Sequence, residues 1–304
     1  MFAAPPELTP AVFARIPEPF WMTGRSSHWT EVIRHGAPVP YFLEGPAFDR
    51  AGNLWVVDIP WGRLFRIAPD GSATLGASYD GAPNGLAFHR DGRCFIADHK
   101  RGLMVLDPAG GRVEPVIERN QMEPFRGLND LTFASNGDLY FTDQGQSGLN
   151  EPVGRLFRLT AGGTLELVLG GIPSPNGLVM SLDERSIFLA VTRDNAVWRV
   201  PLTKSGAATK VGVFIQLSGG AGPDGLALDA DGNLAVAHVG LGSVWIFSAT
   251  GEPLRRIRAP QGVLTTNCAF GGPDGRTLFI TESQSGTILS ARMDVPGQAL
   301  FSHS

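Results

Sequence analysis

The sequence predicts an all-β chain folded as a six-bladed β-propeller of four-stranded blades. Three observations carry that prediction. A phrase of strand, turn, apolar strand, turn and alternating strand begins at Phe42 as FLEGPAFDRAGNLWVVDIPWGRLFRI and returns from Pro83, Leu128, Pro175, Pro223 and Thr266. With Phe48, Phe88, Phe133, Met180, Leu228 and Phe270 as equivalent positions, the units follow at about 40 to 48 residues, the period of a four-stranded blade. Finally, 39 glycines and 23 prolines supply many tight turns, and no long segment carries a helical period.

Residues 1–25 precede the repeat, and their prolines break any long helix. They read as an extension packed across an outer face, without the basic stretch and apolar core of a signal peptide. His28–Ile33 (HWTEVI) reads as a short alternating strand, placed where the outermost strand of a preceding blade belongs. No unit precedes the first, so this strand is expected to complete the sixth blade and close the ring, removing exposed sheet edges. The chain then reads as one domain over 1–304, with the propeller from about 26 to 303.

Within the first unit, Gly45–Phe48 is the inner strand, and the turn Asp49-Arg50-Ala51-Gly52-Asn53 has hairpin chemistry. Leu54–Val57 is apolar on both faces, as a strand between two blades must be. A turn over Asp58–Gly62 leads to Arg63–Ile67, and Pro69-Asp70-Gly71 turns into an outer strand near Thr74. The third unit departs from this pattern with a longer, glycine-rich loop, DQGQSGLNEPVG (Asp143–Gly154), expected to lie as a flap over one end.

Composition excludes several classes. A net charge of −4 with no Lys/Arg run offers no footprint for nucleic acid. No apolar run approaches the length of a membrane span. Cys94 and Cys268 fall on units that are not neighbours, so they read as separate reduced thiols, which suits a cytoplasmic protein.

Strand alternation brings the start of every inner strand, and the loop after every second strand, to one end of the ring. Four residues before each marker stand Glu44, Asn84, Asn129, Asn176, Asp224 and Thr266, with Asn267 one residue out of register. Asn-Gly and Asp-Gly pairs also make plain turns, which is an alternative for Asn84, Asn176 and Asp224 but not for Glu44 or Asn129. Two carboxylates crowded at a narrow axis repel each other and lose hydration, a conflict that a divalent cation removes. Oxygen donors without His or Cys point to a hard ion, Ca2+ first, with Zn2+, Mn2+ or Mg2+ also compatible. A second tier on the same end comprises Asp58, Trp61, His99, Asp143, Gln144, Arg193, Asp194, His238 and Glu282, joined by Arg126. A lone histidine is more often a structural residue, so His99 and His238 rank only as substrate contacts.

Glu44 in EGPAF, the Asn129-Asp130 pair, Pro175-Asn176-Gly177 and Pro223-Asp224-Gly225 together resemble the gluconolactonase and senescence-marker-protein (regucalcin-like) family, over about residues 40–293. Diisopropyl fluorophosphatase and the paraoxonases are more distant relatives. The resemblance implies a metal held by Glu44, Asn129, Asn176 and Asp224. It also implies hydrolysis of a small-molecule lactone or ester, with Asp224 as both ligand and catalytic carboxylate. Asn129 would orient the carbonyl, and Trp61, Asn84, His99, Arg126, Asp130, Gln144, Arg193 and His238 would contact substrate. One departure stands out: the sugar-lactonase members carry an arginine two residues before this asparagine, whereas Arg126 lies three before Asn129. Rival readings are phosphotriester hydrolysis on the same scaffold, a non-catalytic ligand-binding propeller with a structural ion, and, last, carbon–carbon bond chemistry of the strictosidine-synthase kind.

Overall fold

The computed structural model describes residues 3–303. The six units form six sheets, and each inner strand packs against the inner strands before and after it, the last against the first. The inner strands are Leu43–Phe48, Pro83–Phe88, Leu128–Phe133, Pro175–Met180, Gly222–Leu228 and Thr265–Gly271. The second strands Leu54–Asp58, Cys94–Asp98, Leu139–Asp143 and Ser186–Val191 are buried along their whole length, as their two-sided apolar pattern requires. Six apolar clusters fill the six interfaces between successive blades. Trp55 and Val57 meet Leu86 and Ile96 at the first interface, and Leu43 and Phe65 meet Phe279 and Ile288 where the ring closes.

An N-terminal strand does complete the sixth blade, but not the expected one. Ala11–Arg15 pairs antiparallel with Thr287–Arg292 as the outermost strand, and Glu7–Leu8 adds a short parallel strand to the fifth blade beside Pro253–Arg258. The ring therefore takes in residues assigned from sequence to an extension ending at residue 25. His28–Ile33 is a six-residue α-helix. Six residues are too few for periodicity to separate strand from helix. The decisive signal lies just outside them. The Ser27 hydroxyl accepts from the Thr30 N–H at 3.3 Å, and the Thr30 hydroxyl accepts from the Ser27 N–H at 2.8 Å, a reciprocal cap. Trp29 is buried against Phe42, which seats the helix at the rim of the first blade.

Every inner strand is irregular where it begins: the pairing register shifts between Glu44 and Ala47, Pro83 and Gly85, Leu128 and Leu131, Pro175 and Leu178, Pro223 and Leu226, and Thr265 and Asn267. A bulge re-aims the side chain it carries. Asn84, Asn129, Asn176, Asp224 and Thr266 fall inside these shifts, out of their own ladders, and Glu44 stands at the edge of one, still paired with Val57.

At the far end of the axis, a cavity of about 370 Å³ is lined by apolar residues such as Phe48, Phe88, Leu131 and Phe270. The C-terminal segment crosses it: the Phe301 ring stacks on Phe133 at 5.0 Å, and the Ser302 carbonyl accepts from Arg50 Nε at 2.6 Å.

Ring closure by Ala11–Arg15 makes one prediction. Ala14 is buried against the first blade, whereas Val12 faces outward at 42% exposure. Ala14→Glu should cost about 2–4 kcal/mol in chemical denaturation, and Val12→Glu less than about 0.5 kcal/mol. Equal effects would show that the strand does not seal the ring.

Candidate metal centre

Glu44, Asn84, Asn129 and Asn176 are buried at the starts of four successive inner strands, and Asp224, in the fifth, is partly open. The next residue is glycine in four blades (Gly45, Gly85, Gly177, Gly225) but Asp130 in the third and Asn267 in the sixth, the blade opposite. Two of these glycines make room for those two side chains. A Cβ on Gly225 would sit 1.9 Å from Asn267 Oδ1, and one on Gly85 would sit 2.4 Å from Asp130 Oδ1. Asn267 Nδ2 donates to Glu44 Oε2 at 2.9 Å and to Asp130 Oδ2 at 3.3 Å, tying the sixth blade to the first and third. Asp130 and Asn267 also border the far axial cavity, so they form a polar floor beneath the ring. Asp130, expected among the substrate contacts, lies in that floor.

The electrostatics of the ring are unbalanced. Burial, then the charges of Asp224 and Asp130, push the Glu44 carboxyl well above the usual range, against bonds from the Gly45 N–H at 2.7 Å and from Asn267. Burial and Asp130 raise Asp224 to about 8, against a hydrogen bond with Asn176 and the charge of Arg193. Burial raises Asp130 to about 6, although the Leu131 N–H and Asn267 both donate to it. Among the described residues, none of the three forms an ion pair with Lys, Arg or His.

The donor set fits a hard divalent cation. Glu44 uses Oε2 for both of its hydrogen bonds, which leaves Oε1 as a lone donor. Asn129 gives Nδ2 to Gln144 Oε1 at 3.2 Å, so its carbonyl oxygen is the atom left for a ligand. Gln144 in turn donates to the Ser174 hydroxyl at 2.9 Å, which fixes that orientation from behind. Cys268 is the nearest sulfur, and burial holds its thiol protonated.

Much of the second tier proves to be a set of latches that hold the chain entering each blade. Asp58 accepts from the Phe42 N–H at 2.8 Å, Asp143 from the Arg126 and Gly127 N–H groups at 2.7 and 2.9 Å, and Glu282 from the Leu264 N–H at 2.9 Å. Asp98, not singled out from sequence, does the same for Ala82 at 2.9 Å. Arg63 pairs with Asp58, and Arg155 with Asp143. Arg126 is committed to the flap, donating to the Val153 carbonyl at 2.8 Å and to Glu123 at 3.0 Å.

The remaining tier residues divide between packing and the mouth. His238 is buried with Nε2 on the Gly219 carbonyl at 3.0 Å. His99 packs against Gly127, and burial lowers its pKa, favouring the neutral ring. Trp61 has a buried indole N–H without a hydrogen-bond partner among the described residues. Gln144 and Arg193 line a mouth cavity of about 570 Å³ with Ser174, Ile33 and the flap residues 145–150. The flap is pinned by Ser147, which donates to the Ile172 carbonyl at 2.7 Å. Sequence reasoning missed Ser174 and left Asn267 out of register. The available signal was a polar residue standing where four other blades have glycine.

Comparison with known proteins decides the family. Residues 42–284 match the model described as the SMP-30/Gluconolactonase/LRE-like region. The chain belongs to this family. It is 30% identical over 245 residues to lactonase drp35 of Staphylococcus aureus, covering 77% of this chain and 73% of the relative. Identity to the gluconolactonase of Zymomonas mobilis is also 30%, over 275 residues, covering 80% of this chain and 76% of that one. Among solved structures, a calcium-binding protein described as regucalcin, from Agrobacterium tumefaciens, superposes with a TM-score of 0.78 at 25% identity, covering 99% of this chain and all of that one.

The raised carboxyls predict how stability responds to pH. In metal-free protein, the folded state holds protons that the unfolded chain has already lost. Stability therefore falls as pH rises from the ordinary 3.8 through about 6 for Asp130 and about 8 for Asp224, and levels off above. A bound divalent ion keeps the same groups ionised, so calcium should raise the melting temperature by more at the upper end of this window than at the lower. Calorimetry with and without chelator reads both trends, and a calcium effect independent of pH would contradict the carboxylate assignment.

Proposed function

We propose that the protein is a divalent-metal-dependent lactonase. The single observation that carries this reading is the group of carboxylates around Glu44 and Asp224, gathered with Asn129 and Asn176 and without an ion-pair partner among the described residues. Family membership and the lactonase names of its relatives support the same substrate class. Glu44, Asn129, Asn176 and Asp224 would hold the ion, Ca2+ in the first instance, and when bound it supplies Lewis-acid polarisation of an ester carbonyl.

The chain's own residues account for the proton. Asp224 is the partly open carboxylate of the ring, and with an ion bound it would be ionised and able to act as a general base. It takes a proton from water as the water oxygen attacks the carbonyl carbon. The same proton passes to the ring oxygen as the acyl C–O bond breaks, so lactone plus water gives one hydroxy acid. Asn129, fixed through Gln144 and Ser174, orients the carbonyl, and Asn176 steadies Asp224 by hydrogen bonding. Asn267 holds Glu44 from the opposite side of the axis.

The test is turnover of a lactone panel that includes gluconolactone, after chelation and after return of calcium. Activity should vanish with chelator and return with metal. Asp224→Asn should lower kcat by about 10²-fold or more, the usual scale for a lost general base. Turnover that survives chelation, or an unimpaired Asp224→Asn enzyme, would reject the mechanism.

A further inference from the structure

Arginine is used unevenly at the mouth. Arg63, Arg126 and Arg155 are spent on Asp58, Glu123, Asp143 and backbone carbonyls. Arg193 is exposed, and among the described residues it has neither a hydrogen-bond nor an ion-pair partner. Its neighbour Asp194 is turned away to accept from Trp198 Nε1 at 2.8 Å.

The backbone beneath Arg193 is held firmly. It sits in the short 3-10 turn Thr192–Asp194, where the Thr192 N–H donates to the Ser174 carbonyl at 3.0 Å and the Thr192 hydroxyl to the Pro223 carbonyl at 2.8 Å. Ser174 also receives Gln144, the residue that orients Asn129, and Pro223 directly precedes Asp224. Arg193 is thus coupled through short links to both sides of the ring, and its charge reaches Asp224. It borders the 570 Å³ cavity together with Gln144 and Ser174.

A free guanidinium on a fixed backbone, beside a cavity lined by the Gln144 and Ser174 that hold Asn129 in place, is suited to an anionic substituent, which it can grip with two parallel N–H bonds. We propose that the preferred substrate is an anionic lactone, whose carboxylate substituent is bound by Arg193 while its ester carbonyl faces Glu44, Asn129, Asn176 and Asp224. This rests on the lactonase reading above. Placing the anion site at the rim also keeps the substituent away from the acidic axis, where it would meet repulsion.

An isosteric pair tests the proposal: the five-membered lactone bearing a neutral carboxamide at its γ-carbon, and the same ring with a carboxylate in place of the carboxamide. The calcium-loaded enzyme should favour the carboxylate compound by at least tenfold in kcat/KM. Arg193→Gln should bring that ratio close to one, and Arg193→Lys should retain part of it. Calorimetric binding of the two ring-opened products should give the same ordering without turnover. Melting curves of both variants should match the wild type, since Arg193 is exposed. A wild-type ratio near one overturns the proposal, as does an Arg193→Gln enzyme that slows both compounds equally, since Arg193 would then act only as a counter-charge to Asp224. If the loaded enzyme hydrolyses neither these compounds nor gluconolactone, the lactonase reading itself fails, an outcome distinct from the loss of preference.

Discussion

The structure depends on a repulsion that the polypeptide alone leaves unresolved. Glu44, Asp130 and Asp224 come from three blades to one end of a narrow axis, and each carboxyl is driven toward its protonated form. The hydrogen bonds from Gly45, Leu131 and Asn267 relieve only part of that cost. A fold seldom gathers buried acids without a counter-charge unless something outside the chain supplies it. The register shifts that take Asp130 and Asp224 out of their ladders and the glycines that clear space for Asp130 and Asn267 serve the same arrangement.

The site is layered along the axis. At the bottom, Asp130 and Asn267 form a hydrogen-bonded floor that separates the ring from the apolar cavity at the far end. Above it stands the ring, with Asp224 as its partly open member. The mouth follows, where Gln144 and Ser174 position Asn129, and Arg193 at the rim has no ion-pair partner among the described residues. On the proposed reading, substrate selection at the rim and reactive chemistry at the ring fall in different layers.

The repeat made most of the fold legible. A period that recurs six times averages over local ambiguity, so blade number, the two-sided burial of Leu54–Asp58 and its counterparts, and the place of Glu44, Asn129, Asn176 and Asp224 at the starts of inner strands could all be read from sequence. Where the repeat is silent, reading failed. His28–Ile33 and Ala11–Arg15 are both short segments with apolar residues. A reciprocal cap from Ser27 made the first a helix, and pairing with Thr287–Arg292, almost the whole chain away, made the second a strand. Asp58, Asp143 and Glu282 were read as mouth residues because their position was right. Their hydrogen bonds to incoming backbone, which make them latches, are contacts that sequence does not display. Arg126 was drawn into the flap by Glu123 and Val153 for the same reason.

The central claim is that Glu44 and Asp224 are neighbours because a cation belongs between them. Calorimetric titration of calcium into chelator-treated protein addresses it most directly. The account predicts one ion per chain for the wild type and no measurable binding for a folded Glu44→Gln variant, whose amide keeps the shape but removes the charge. Undiminished binding in that variant, or none in the wild type, would contradict it.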